Sequence, residues 1–228
     1  MPPMKRLFIA MICVGCLLCS FDAFSSEQNF VNGAGTLPGG DWAISLDVGV
    51  SLPEPLGVGV RADWGIGDRV QLGLSASTLI VVNTVSINAL FNILKTQNDS
   101  DFFSIYLIPT FAQSLSMFWT EEDINVKSVE MFFLQPGLAY EHRFGNDRNT
   151  GLFIKAGTIN FLASTANGQF KLAGLSSNNT GIQAGLGVQH NFGGSFSLSI
   201  EGYAVTPINP SAPKKVSGMG KVGLTWTF

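Results

Sequence analysis

The sequence predicts an all-β protein: a closed antiparallel up-and-down transmembrane β-barrel of about ten strands, with eight as the alternative, behind an N-terminal signal peptide. Three observations carry this expectation. From Asp41 onward hydrophobic residues recur at every second position, the mark of strands with one apolar face. Charged residues are only 13% of the 228, about half the roughly 25% usual in soluble domains. Past the N-terminus, no apolar run makes a convincing transmembrane helix, which needs about 20 residues.

The first element is the export segment, residues 1–25. Lys5 and Arg6 precede an apolar stretch from Leu7 to Leu18, and Ala23-Phe24-Ser25 supplies a small-x-small cleavage site. Cys16 after Gly15 faintly suggests a lipoprotein signal, but Cys13 stands where that signal wants Leu. All three cysteines lie in this segment, so the mature chain has neither a disulfide framework nor a Cys-based metal site. Removing Lys5, Arg6 and Asp22 leaves 11 basic and 15 acidic residues, a net charge of −4, which speaks against nucleic acid as a partner. Residues 26–40 are polar and Gly-rich and read as a flexible lead-in. Their glycines are no nucleotide fingerprint, because no strand precedes them and no helix follows.

Residues 41–228 form the predicted barrel. Trp42, Ile44, Leu46, Val48 and Val50 open it; after SLPEP, Leu56 to Ile66 alternate with Gly57, Gly59, Arg61, Asp63 and Gly65. GDR leads to Val70–Ala76, a fourth run covers Val85–Ile93, and a fifth follows QNDSD from Phe103 to Phe111. Phe132–Tyr140, Leu152–Ala156, Ile182–Val188, Phe196–Ile200 and Val216–Phe228 complete ten. The charge-free stretch Leu72–Leu94 could also be drawn as a helix, but Asn83, Asn88 and Asn92 would then lie in hydrocarbon, and its Val, Ile and Thr favour strands.

Across these runs one face is Val, Leu, Ile, Phe and Trp, and the other Gly, Ser, Gln and Asn with scattered charge. The second is too charge-poor for a soluble exterior and too glycine-rich for a core, but it suits a lumen if the first faces lipid. Closure follows, since an open sheet edge in lipid costs several kcal/mol per unpaired backbone group. Connection lengths agree: short turns follow runs two, four, six and eight. Long connections, 113–126, 160–178 and 205–215, follow runs five, seven and nine, as expected with both ends periplasmic. Trp42, Trp64 and Trp226, with Phe144, Phe192 and Phe196, are expected at the periplasmic interface as an aromatic girdle.

The closing run, with Val222, Leu224, Trp226 and a final Phe228, resembles the signal by which outer-membrane assembly machinery recognises barrel substrates. More loosely, the mature chain resembles the small OmpA-like and OmpX-like outer-membrane barrels. That resemblance implies a bacterial, Gram-negative outer-membrane location, membrane lipids as surroundings and the assembly machinery as a partner in biogenesis. Ten strands rather than eight depart from it.

Asp47, Arg61, Asp63, Glu141, Arg143, Lys155, Glu201 and Lys221 fall on the predicted lumen face. A hairpin centred near Ser211 sets Glu201 opposite Lys221, and one centred near Arg148 sets Glu141 opposite Lys155. Such pairs contribute about 0.2–1 kcal/mol each, and they read as register-fixing salt bridges or as a charge-lined path. His142 and His190 fall at the periplasmic rim on the lipid side, with no Ser or Asp evidently arranged around either. Asp99 and Asp101 have the spacing of a weak loop cation site only. No catalytic residue, metal site or cofactor is expected. The expected role is structural or surface-interacting, with an extracellular ligand site conceivable at loops 113–126, 160–178 and 205–215. A narrow porin-like pore is the alternative, and a rim enzyme acting on lipid or peptide comes third.

Overall fold

The computed structural model describes residues 32–52, 56–79, 82–115, 128–145, 147–166, 169–172, 180–193, 195–208 and 216–228. The signal peptide and residues 26–31 of the lead-in lie outside these, as do 116–127, 173–179 and 209–215 of the long connections. Every described element is a strand: β1 Trp42–Leu52, β2 Leu56–Ile66, β3 Val70–Leu79, β4 Val82–Lys95, β5 Asp101–Leu115, β6 Ser128–Phe144, β7 Thr150–Ala166, β8 Gln169–Leu172, β9 Thr180–Asn191, β10 Phe196–Pro207 and β11 Ser217–Thr227.

Each barrel strand pairs antiparallel with its neighbours. The ring closes where β1 meets β11, Ala43 opposite Thr227 through Leu52 opposite Gly218. The small β8 lies outside that ring, folded back on the end of β7 with Ala163 opposite Leu172. The result is a closed ten-strand up-and-down barrel. Closure satisfies every ladder internally, which is the condition for a sheet to stand in lipid. The stretch Leu72–Leu94 belongs to the β3–β4 hairpin, with Ser75 opposite Ser86 and Asn88 donating to Ser75 Oγ inside the barrel.

The period of two sorts the side chains as a pleated sheet must. Leu74, Ile87, Leu138, Ile154, Leu186 and Ile200 stand exposed on the outer surface, Leu186 at 63%. Their neighbours Ser45, Asp63, Ser104, Glu141, Gln189 and Ser199 are buried inside. The molecule is thus inverted relative to a soluble domain. Two bulges adjust this order: one extra residue at Ile93 places both Ile93 and Leu94 outside, and a second interrupts β7 opposite Phe132 and Phe133.

At one rim the connections are short, 67–69, 96–100, 145–149 and 192–195, and three of them turn on glycines with positive φ, Gly67 at 60°, Gly145 at 97° and Gly193 at 93°. At the other rim β5, β6 and β7 are tall, 15, 17 and 17 residues. Gln113–Leu115 and Asn160–Ala166, expected within loops, are therefore strand. Their pairing with β6, interrupted in β7 only by the bulge, explains this, since backbone groups satisfy a ladder whatever side chains they carry.

Candidate functional site: a lumen filled by the N-terminal segment

Chain segment 32–37, shortly before β1, runs inside the barrel. Asn32, Ala34 and Leu37 are fully buried there. A single strand of backbone placed in a lumen has no ladder, so its N–H and C=O groups must find side chains. They do. Asn32 N donates to Gln189 Oε1 (3.0 Å), Ala34 N and Gly35 N to Glu141 Oε2 (2.7 and 2.9 Å), and Leu37 N to Gln71 Oε1 (3.0 Å). Ala34 O accepts from Ser104 Oγ and Asn92 Nδ2. Asn32 Nδ2 donates to Ser199 Oγ (2.8 Å), and Asn32 Oδ1 accepts from Arg61. These partners come from β2, β3, β4, β5, β6, β9 and β10, so the segment is held from nearly all round the ring.

The glycines of this segment are explained by the contact rather than by flexibility. A Cβ on Gly33 would lie 1.8 Å from Glu141 Oε2, and one on Gly35 would lie 2.0 Å from Arg143 Nη2. Only a chain without side chains there can lay its amides directly on the carboxylate. Where the sequence suggests a loose lead-in, residues 32–40 are thus bound in place.

All eight predicted lumen charges face inward, and the structure sorts them into two groups. Near the segment, Arg143 Nε meets Glu141 Oε1 at 2.6 Å, and its guanidinium lies 3.9 Å from the Phe102 ring centroid. Arg61 Nε meets Asp63 Oδ2 at 2.6 Å, while Asp63 Oδ1 accepts from Gln71 (3.1 Å). These are same-strand pairs two residues apart, which share a face by the pleat. Further from the segment lies a chain of alternating sign. Lys221 Nζ is 3.8 Å from Asp47 and 3.2 Å from Glu201 Oε1, and Glu201 Oε2 is 4.0 Å from Lys155 Nζ. Tyr203 donates its hydroxyl proton to Glu201.

The expected pairing of Glu201 opposite Lys221 is present in the register. The pairing of Glu141 opposite Lys155 is not: Glu141 lies opposite Phe153, and Lys155 opposite Ala139. The β6–β7 turn centres on Asp147 rather than Arg148, and this small shift leaves parity intact but changes every partner. Lys155 instead reaches Glu201 across β9, where Gly185 and Gly187 stand between them.

Alongside this charge chain a cavity of about 390 Å³ remains, with Gly33, Lys155 and Lys221 on its wall. Tyr106, which the sequence places inward without a role, seats in a notch made by Gly137 and Gly157, where added Cβ atoms would come within 2.2 and 2.6 Å of its ring and hydroxyl. The inward Gln71, Asn92, Ser104, Gln189 and Ser199, which hold the segment, are readable as inward by parity. Their partner is not, because alternation says nothing about what enters the lumen.

On the outer surface the expected girdle residues meet at the short-turn rim. Trp42 stacks on Trp64 (5.6 Å, 12°), and His190, Phe192, Phe196 and Trp226 form successive ring contacts at 4.7, 5.6 and 5.5 Å. Phe144 lies 6.3 Å from the His142 ring. Val222, Leu224 and Phe228 point outward, whereas Trp226 is covered to 8% exposure beside Phe196. Phe228 N and O pair with Trp42 O and N at 2.8 and 3.1 Å, extending the closing seam.

The histidines have more company than the sequence suggests. Asp101 lies opposite His142, and its Oδ1 meets His142 Nδ1 (2.9 Å) and accepts from Tyr140 (2.6 Å). Ser100 donates to the other carboxylate oxygen. His190 Nδ1 pairs with Thr150 Oγ1 at 2.8 Å. Among the described residues no group of three or more His, Cys, Asp or Glu is gathered to hold a metal ion.

No protein-family model and no curated protein matches the chain. Solved structures similar to it include outer-membrane barrels. The N-terminal β-barrel domain of Pseudomonas aeruginosa OprF is 11% identical over 84% of this chain and 100% of that one, with a TM-score of 0.40. The NanC porin is 7% identical over 80% and 98%, TM-score 0.45. The outer membrane enzyme PagL is 11% identical over 81% and 98%, TM-score 0.37.

Proposed function

We propose that this protein is an integral outer-membrane β-barrel, not an enzyme, whose lumen is shut by its own N-terminal segment and whose long-loop rim presents a surface or pocket to the outside. One observation carries the reading: residues 32–37 cross the lumen fully engaged, with Asn32, Ala34 and Leu37 at 0% exposure. A passive pore needs a continuous wet path, and here inward polar groups of five strands are spent on the segment's backbone, and those of two more on the Asn32 side chain. The outer belt of exposed Leu, Ile and Val supports membrane embedding. A surface-interaction role falls to the connections around 113–126, 160–178 and 205–215.

Planar-bilayer recording on refolded protein tests this. The wild type should give no discrete conductance steps, and a variant lacking residues 32–37 should give them. Regular steps from the wild type would overturn the closed-lumen reading and favour the narrow-pore alternative.

A further inference from the structure

The cavity beyond the segment is asymmetric in its chemistry. Of the carboxylates near it, Glu201 and Asp63 have side chains 0% and 1% exposed, and each already answers a cation, Lys221 and Arg61 respectively, and a second donor. Lys221 is held between two acids. Lys155 is different. Its nearest carboxylate oxygen is 4.0 Å away, beyond hydrogen-bond length, and among the described residues its ammonium makes no hydrogen bond, resting 5.0 Å from the Phe153 ring centroid. It ends the alternating charge chain with its donors unspent, on the wall of the cavity.

Tyr106 adds a second unspent donor. Its hydroxyl accepts from Gln183 Nε2 (3.1 Å), and among the described residues its own proton has no acceptor, although the side chain is only 6% exposed. Leu90, Ile108 and Val205 supply an apolar wall. A volume of about 390 Å³ is small for a ligand pocket. Unspent cationic and neutral donors, opposed by hydrocarbon in a small space, fit a molecule with an anionic head and a compact apolar body.

We propose that this cavity binds a small organic carboxylate, its charge meeting Lys155 and Tyr106 and its apolar body lying against Leu90, Ile108 and Val205. This rests on the closed-lumen reading, which makes the cavity a dead-end pocket open only toward the long-loop rim. Lys155 is a suitable position for a test, because Glu201 keeps Lys221 and Tyr203 when Lys155 is removed.

Isothermal titration of the refolded barrel with benzoate provides the test, with benzyl alcohol as the neutral counterpart and inorganic phosphate as the anion without an apolar body. Benzoate should bind saturably, at least about tenfold more weakly in Lys155→Met, and with near-wild-type affinity in Lys155→Arg. Benzyl alcohol should not compete. Circular dichroism and heat-modifiable gel migration establish that both variants fold. No saturable benzoate binding, or binding unchanged in Lys155→Met, overturns the proposal. Phosphate binding as tightly as benzoate overturns the apolar part of the site. The conductance experiment fails or succeeds separately: a conducting wild type that still binds benzoate through Lys155 sinks the closed lumen and leaves the site standing.

Discussion

Glu141 shows how much one inward side chain does here. It is fully buried and its two oxygens serve three donors, Ala34 N, Gly35 N and Arg143 Nε. A buried ion pair that loses one partner typically costs about 3–5 kcal/mol. Glu141→Ala should therefore lower stability by about 3 kcal/mol in urea refolding titrations and loosen the segment. A reporter is at hand because all the cysteines lie at positions 13, 16 and 19. A Leu37→Cys thiol, placed at a fully buried position, should react slowly with maleimide in the mature barrel and quickly once Glu141→Ala is added. Equal labelling rates would contradict the anchoring role. At this scale the sequence disclosed direction but not partnership. Parity put Glu141 and Lys155 inside, yet which acid met which base depended on a turn centre and on Gly185 and Gly187 leaving room across β9.

Among the elements, β11 and β9 test the barrel most directly. Phe228 makes both backbone bonds to Trp42 at the seam, beside Trp226 and Phe196. Deleting Phe228 should reduce the yield of heat-modifiable, folded barrel; unchanged yield would count against its part in closure and assembly. On β9, Leu186 stands on the lipid face, and Leu186→Arg should cost roughly 2–4 kcal/mol near mid-membrane. Gln135→Arg, on the cavity wall, reaches water and should cost less. Similar costs in refolding titrations would contradict the face assignment. The strands were legible because a period of two is written in single residues. Their upper ends were not: β7 runs on to Ala166 through a stretch without clean alternation, which reads as a loop without its partner β6.

For the whole molecule, the ring and the segment are separable. No ladder of the closed barrel uses residues 32–37. A variant lacking them should keep its β circular-dichroism signal and heat-modifiable migration, with an earlier unfolding midpoint, since Glu141, Gln71 and Gln189 lose buried partners. Loss of the barrel itself in that variant would show that the segment is needed for closure. By itself the sequence determined the class of fold, the two faces and the identity of the inward charges, because hydrophobic alternation and charge scarcity are properties of each residue and its neighbour. Only the tertiary structure decided that a glycine-bearing segment occupies the lumen and that Lys155 is left with unspent donors. Those outcomes depend on distances across a closed ring, between residues 29 to 167 positions apart, and no local pattern encodes them.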